Sequence, residues 1–258
     1  MIAASIADGY VEHTPPPGLR EYVECFWTRG GTPAPNATHH VIPDGCVDLV
    51  LSYESVAAQE NPSVALAVGT MTRPLSIGST EASPVYVGVR FWPGRALPFL
   101  GVPASEITDL RVAISDLWSH RSASLATLQD GELGSWRAAF ERLLMRRLEN
   151  ARPVDRTVDA AVRAILRAGG NLSIAPLAPA LGVTRQHLAR AFALHVGVSP
   201  KTFARVARVR RVLAKARVAS TVDWAMLALD AGFYDQAHLA GEVRELTGRT
   251  PTEWLAPG

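Results

Sequence analysis

The hydrophobic period of the chain changes near residue 150. Before that point, short runs rich in β-branched and aromatic residues recur between Gly, Pro, Asn and Asp. They include Val41-Ile42, Val47 to Leu51, Val64 to Val68 and Val85 to Trp92. Side chains alternate across a strand, so these runs predict a sandwich or small barrel over residues 10–118. Pro15-Pro16-Pro17 precedes a patch, Leu19 to Trp27, that reads as a short helix covering one side of the barrel. The first sustained 3.6-residue period spans 132–149. Leu133, Trp136, Phe140, Leu143, Leu144 and Leu148 form its stripe, and Arg137, Glu141, Arg142 and Arg146 face away. That stripe either packs on the barrel or pairs with a second copy of the chain. Arg152-Pro153-Val154 ends the helix and marks the domain boundary.

From Asp155 onward the period is helical throughout. It predicts helices at 155–168, 174–181, 184–195, 200–217, 222–231, 235–247 and 251–255, with Ser173, Thr184 and Ser199 capping the second, third and fourth. One pattern occurs twice at an offset of 51: His187-Leu188-Ala189 returns as His238-Leu239-Ala240, and Gly197 to Phe203 returns as Gly248 to Trp254. Gly182 and Gly232 form a third pair. Two copies are too few for a solenoid. Each copy instead reads as a helix, a tight Gly turn and a second helix.

In the first copy Ile174, Leu177, Ala178 and Leu181 supply the inner face, Gly182 the turn, and Val183, Leu188 and Phe192 the anchors. Thr184, Arg185, Gln186, Ala189 and Arg190 are left at the start or on the outside of the next helix, where side chains can reach base edges and phosphates. The second copy uses Ala225, Leu227, Ala228 and Gly232, then Phe233, Leu239, Val243 and Leu246. Its outward set is Tyr234, Asp235, Gln236, Ala237, His238 and Gly241. His187 and His238 recur at equivalent positions, where packing or bonding near the turn competes with DNA contact.

Charge sharpens this picture. Residues 1–150 hold 11 basic and 16 acidic side chains and residues 151–258 hold 15 and 8, so the halves carry −5 and +7. Only the second half is suited to a polyanion. Its cations are Arg apart from Lys201 and Lys215, which favours bidentate phosphate or guanine contacts. On the fourth helix Arg205, Arg208, Arg210, Arg211 and Arg217 read as solvated or paired rather than base-reading. Cys25 and Cys46 cannot build a disulfide framework. Neither a signal-peptide pattern nor an apolar run of membrane length is present, so reduced thiols, a cytoplasmic location and no membrane partner are expected.

The pattern resembles the DNA-binding domain of AraC/XylS-type transcription regulators. The residues that carry the resemblance are Gly232-Phe233-Tyr234-Asp235-Gln236-Ala237-His238-Leu239 and the closing Gly197 to Pro200 and Gly248 to Pro251. It covers about residues 155–256 and implies seven helices, with two recognition helices entering successive major-groove segments and a long helix, Lys201 to Arg217, between them. Three positions depart from it. Pro179 lies inside a helix, where it removes a donor. Gly241 stands where Arg is usual, and Val243 replaces a Phe anchor. The first unit, through Gln186 and Arg190, is therefore expected to do most of the base reading.

In the N-terminal half, Pro43 to Val50, Gly69 to Pro74 and Gly88 to Ala96 resemble the N-terminal domain of a subgroup of the same regulators. That resemblance implies a cupin-like barrel that binds a small effector or dimerises. Asp44, Cys46, Asp48, Arg73, Arg90 and Trp92 are candidates for an effector pocket, against turn-capping, ion-pairing and packing roles. His13, His39, His40 and His120 are too few and too scattered for a metal-binding cupin. Adjacent strand residues His39 and His40 point to opposite faces. No nucleophile-base set, metal site or cofactor loop is visible.

The expectation is an α+β protein of two domains. A cupin-like sensor or dimerisation domain spans 1–125, a helical linker 126–152, and a seven-helix DNA-binding domain with two helix-turn-helix units 153–258. It is a transcription regulator and not an enzyme, with double-stranded DNA, an unknown effector, RNA polymerase and a second copy of itself as partners. The competing readings are an effector or metal sensor that acts by protein contact, and a cupin enzyme fused to a DNA-binding domain.

Overall fold

The computed structural model describes residues 9–30, 38–53, 62, 64–78, 84–118, 135–149, 151 and 153–256. Leu133, His120 and Arg152 lie outside them.

Strand β4 (Val47–Tyr53) shows how the first half folds. Val47, Leu49, Leu51 and Tyr53 are buried while the residues between them are half-exposed, the period of two that makes one sheet face apolar. It joins an antiparallel six-stranded sheet in the order β1 (Tyr10–His13), β2 (Val23–Arg29), β7 (Val85–Phe91), β4, β5 (Val64–Val68) and β8 (Arg111–Ala113). β3 (Thr38–Val41) and β6 (Leu75–Gly78) form a separate pair. Short helices α1 (Leu97–Leu100) and α2 (Ile114–Leu117) follow β7 and β8 respectively.

Helix α3 (Trp136–Leu148) lays Trp136, Ala139, Phe140, Leu143 and Leu144 onto Phe26, Leu49, Val89, Phe91 and Phe99. Among the described residues of its apolar stripe, Trp136, Phe140, Leu143 and Leu144 are thus covered within this half, and Leu148 is partly covered. The sequence expectation fails over Leu19 to Trp27. Only Pro17–Leu19 is helical, as one 3-10 turn, and Val23–Arg29 is strand β2. A register shift between Val23 and Cys25 puts Val23 and Phe26 on the same buried side. That bulge imitates the three-residue step of a helix.

The second half has α4 (Arg156–Arg167), α5 (Leu177–Ala180), α6 (Arg185–His195), α7 (Pro200–Val218), α8 (Trp224–Asp230), α9 (Gln236–Thr247) and α10 (Pro251–Leu255). Asp155 caps α4 by accepting from the amides of Thr157 and Val158, both at 2.9 Å. Ser199 caps α7 by accepting from Thr202 N at 3.0 Å. α5 is a single turn, shorter than 174–181. Its N-cap is Pro176, which has no side chain to do what Ser173 was expected to do, and Pro179 supplies no backbone donor. Two cores result. Val158, Ile165, Leu188, Phe192 and Phe203 belong to one, and Val206, Val209, Leu213, Phe233, Leu239 and Val243 to the other. Helix α7 gives its first turns to the first core and its remainder to the second.

The two halves are docked. Thr70, only 1% exposed, donates its hydroxyl to the carbonyl of Val196 at 2.6 Å, and Thr108 donates to that of Gly197 at 2.7 Å. Val196 is the C-cap of α6. Two hydroxyls from the β-domain thus satisfy carbonyls that the end of α6 leaves without helical partners. Arg95 bridges Asp159 on α4 and Glu21. Ile42 packs against the second helical core.

Candidate nucleic-acid interface

The first unit sets its outward residues by local rules. Gly182 takes φ +72°, a left-handed turn open to glycine at little cost. Thr184 then caps α6, its hydroxyl accepting from His187 N at 3.1 Å. Leu188, Ala191 and Phe192 are buried, which leaves Arg185, Gln186, Ala189 and Arg190 exposed on the opposite side. A recess of about 520 Å³ is lined by Thr184, Arg185, Gln186 and Ala189. Another of about 410 Å³ is lined by Asp155, Thr184, His187, Arg190, Leu194 and His195 among others. Burial holds the His195 imidazole below its ordinary range, with nearby Asp155 opposing.

The second unit is built alike but occupied differently. Asp235 caps α9 by accepting from His238 N at 2.7 Å. His238 Nδ1 accepts from Tyr234 N at 3.3 Å, its ring meets Phe233 edge-on at 5.4 Å, and Nε2 lies 3.7 Å from Glu242. The Asp235 and His238 side chains are therefore engaged in starting α9. Tyr234, at 86% exposure, and Gln236 remain outward. A Cβ added at Gly241 would meet nothing within 4 Å. Val243 is fully buried.

Four of the five arginines on α7 are engaged within the fold, three inside the helical half and Arg210 across to the β-domain. Arg205 pairs with Glu242 and Glu245. Arg208 lies 4.2 Å over the Phe233 ring and donates to Gly232 O at 3.2 Å. Arg211 donates to Ala168 O at 3.1 Å, and Arg210 to Asp44 O at 3.3 Å in the β-domain. Arg217 is exposed. The first four are paired, as the sequence reading expected.

Among the candidates in the β-domain, Asp44, Cys46, Asp48 and Arg90 come together. Arg90 faces Asp48 across β7 and β4, with Nε 3.3 Å from Asp48 Oδ1 and 3.4 Å from Asp44 Oδ2. Cys46 N donates to Asp44 Oδ1 at 2.9 Å, and its thiol points at Glu24 Oε2, 3.7 Å away. Burial raises the Asp48 carboxyl above the usual range against the pull of Arg90, and it raises the Cys46 thiol.

Arg73 and Trp92 lie elsewhere. Arg73 is exposed, and Trp92 donates to Arg20 O at 3.3 Å. Trp27, not anticipated from sequence, donates to Asp48 at 2.8 Å and stacks on Tyr10 at 5.9 Å. Its ring lies over Gly88, where a Cβ would come within 2.5 Å. The signal that could have found it is the strand alternation of β2, hidden by the bulge. His40 Nδ1 sits 3.1 Å from the Ser76 hydroxyl. Among the described residues, no group of three or more His, Cys, Asp or Glu could hold a metal ion, and no helix is long and apolar enough to cross a membrane.

A capped helix after a glycine turn in each of two units, the first presenting Arg185, Gln186 and Arg190 and the second Tyr234 and Gln236, with one long helix between them, is the arrangement of the helix-turn-helix class of DNA-binding proteins. Residues 177–256 match a family described as a helix-turn-helix domain, and residues 11–113 one described as a domain of unknown function, DUF6597. Residues 177–256 thus carry a helix-turn-helix domain. No curated protein matches the chain. Among solved structures it is similar to ToxT from Vibrio cholerae, with 11% identity, 89% of this chain and 97% of that one covered, and a TM-score of 0.46. It is also similar to ToxT from V. cholerae strain SCE256 bound to an unsaturated fatty acid, with 11% identity, 92% and 96% covered and a TM-score of 0.44.

Proposed function

We propose that this regulator reads DNA chiefly through its first unit. Arg185, Gln186 and Arg190 contact base edges, Thr184 the adjacent backbone, and Tyr234 and Gln236 of the second unit the neighbouring groove segment. Asp235 and His238 support this second contact by holding the start of α9. The observation that carries the reading is the outer face of α6: exposed Arg and Gln opposite a buried Leu188-Phe192 face, in a half carrying +7. The Asp44–Asp48–Arg90 cluster is the place for a small polar effector, with Cys46 beside it, and Arg73 and Trp92 are left outside it. The working form is a cytoplasmic homodimer that acts on RNA polymerase at a promoter and performs no catalytic step.

Selection of genomic fragments by the purified full-length chain tests this reading. Enriched fragments should share one motif, and affinity for it should fall log-linearly with salt. No enrichment over random fragments at any salt would overturn it.

A further inference from the structure

The turn before β4 touches the charged cluster on one side and the DNA-binding half on the other. The Asp44 side chain lies 3.4 Å from Arg90 Nε, and its own carbonyl accepts from Arg210 of α7 at 3.3 Å. The next residue, Gly45, is buried with φ +81°, and a Cβ there would stand 2.3 Å from Phe203 Cε2. Phe203 is fully packed, its ring meeting that of Phe192 at 6.1 Å. Phe192 lies on the buried side of α6, opposite Arg185 and Gln186. A continuous run of contacts therefore joins Asp48 and Arg90, through Asp44, Gly45 and Phe203, to the back of the first recognition helix.

We propose that the Asp44–Gly45 turn is the joint through which a change at the Asp48–Arg90 cluster repositions α6. Asp44, Gly45, Phe203 and Arg210 are its positioning residues. Close-packed interiors pass displacement on rather than absorb it. At Gly45 no side chain intervenes to take up slack. Asp48 carries the perturbation cleanly, because its polar partners, Trp27 and Arg90, both lie in the β-domain. The proposal rests on the reading that α6 faces DNA, but its test does not.

The test is amide exchange in the full-length chain, which reports local opening. Asp48→Asn should speed exchange across Leu188 to Val196 by roughly two- to thirtyfold, the range expected of such coupling. Helix α3, packed on the same sheet, should stay unchanged. The added effect of Asp48→Asn should vanish in a Phe203→Leu background. Unchanged exchange in α6, α3 and α6 rising together, or a full effect that persists with Phe203→Leu would each overturn the joint. Trp27→Phe, which removes the indole donor to Asp48, serves if Asp48→Asn does not fold, with the same outcomes. A chain in which α6 responds but no genomic fragment is enriched keeps the joint and loses the DNA reading. One that binds its fragment while α6 ignores the cluster does the reverse.

Discussion

Replacing Thr70 with Val removes one hydroxyl and almost no volume. That hydroxyl is 1% exposed and donates at 2.6 Å to Val196 O, at the end of α6. The Val196 carbonyl caps a helix C-terminus and has no intrahelical partner to fall back on. Leaving a buried acceptor unsatisfied costs about 1–3 kcal/mol, against about 0.5–1.5 for an average bond exchanged with water. For a chain of this size each kcal/mol lowers the melting temperature by about 2–4 °C. Thr70→Ser keeps the donor and loses a methyl group, at about 0.8 kcal/mol. Thermal and urea unfolding of the full-length chain should therefore rank wild type above Thr70→Ser and Thr70→Ser above Thr70→Val. Thr108→Val, at a half-buried site, should fall between wild type and Thr70→Val. If Thr70→Val matches wild type, or Thr70→Ser is as damaging as Thr70→Val, the hydroxyl does not hold the halves together.

Other perturbations address the site. Arg190→Ala should weaken binding to the selected fragment by about 1–3 kcal/mol and relax one base preference; equal loss on random DNA would falsify its base-reading role. Gly241→Ala, in a helix interior with open space around it, should raise stability by about 0.5–1 kcal/mol; a lower melting point would refute that. Burial lowers the His195 pKa, so between that value and the ordinary His range the unfolded chain binds more protons. Stability should fall as pH drops through this window. His195→Gln should flatten that dependence in urea titrations at neutral and mildly acidic pH, and an unaltered slope would rule the imidazole out.

The C-terminal helices were legible because their signals are local. Thr184 and Ser199 announce starts by their own hydroxyls, and each is a cap in the structure. Ser173 failed because two prolines nearby confine the helix to one turn. Strand β2 was misread because a single bulge gives its buried residues a helical step. Trp27 then dropped out of the predicted cluster along with its strand. The docking of the halves left no trace in the sequence. Thr70 and Val196 lie 126 positions apart, and nothing local marks a hydroxyl as the partner of so distant a carbonyl.

Helix α7 is 19 residues long, which at about 1.5 Å per residue makes a rod of about 28 Å. Arg211 fastens it to the end of α4 and Arg208 to the turn of the second unit. On the proposed reading, such a rod is a ruler between two recognition helices that enter groove segments about 34 Å apart. One base pair inserted between the half-sites turns the far one by about 34–36° around the duplex, and a clamped rod cannot follow. Promoters under this regulator should therefore vary in base identity under the second unit far more freely than in length between the two.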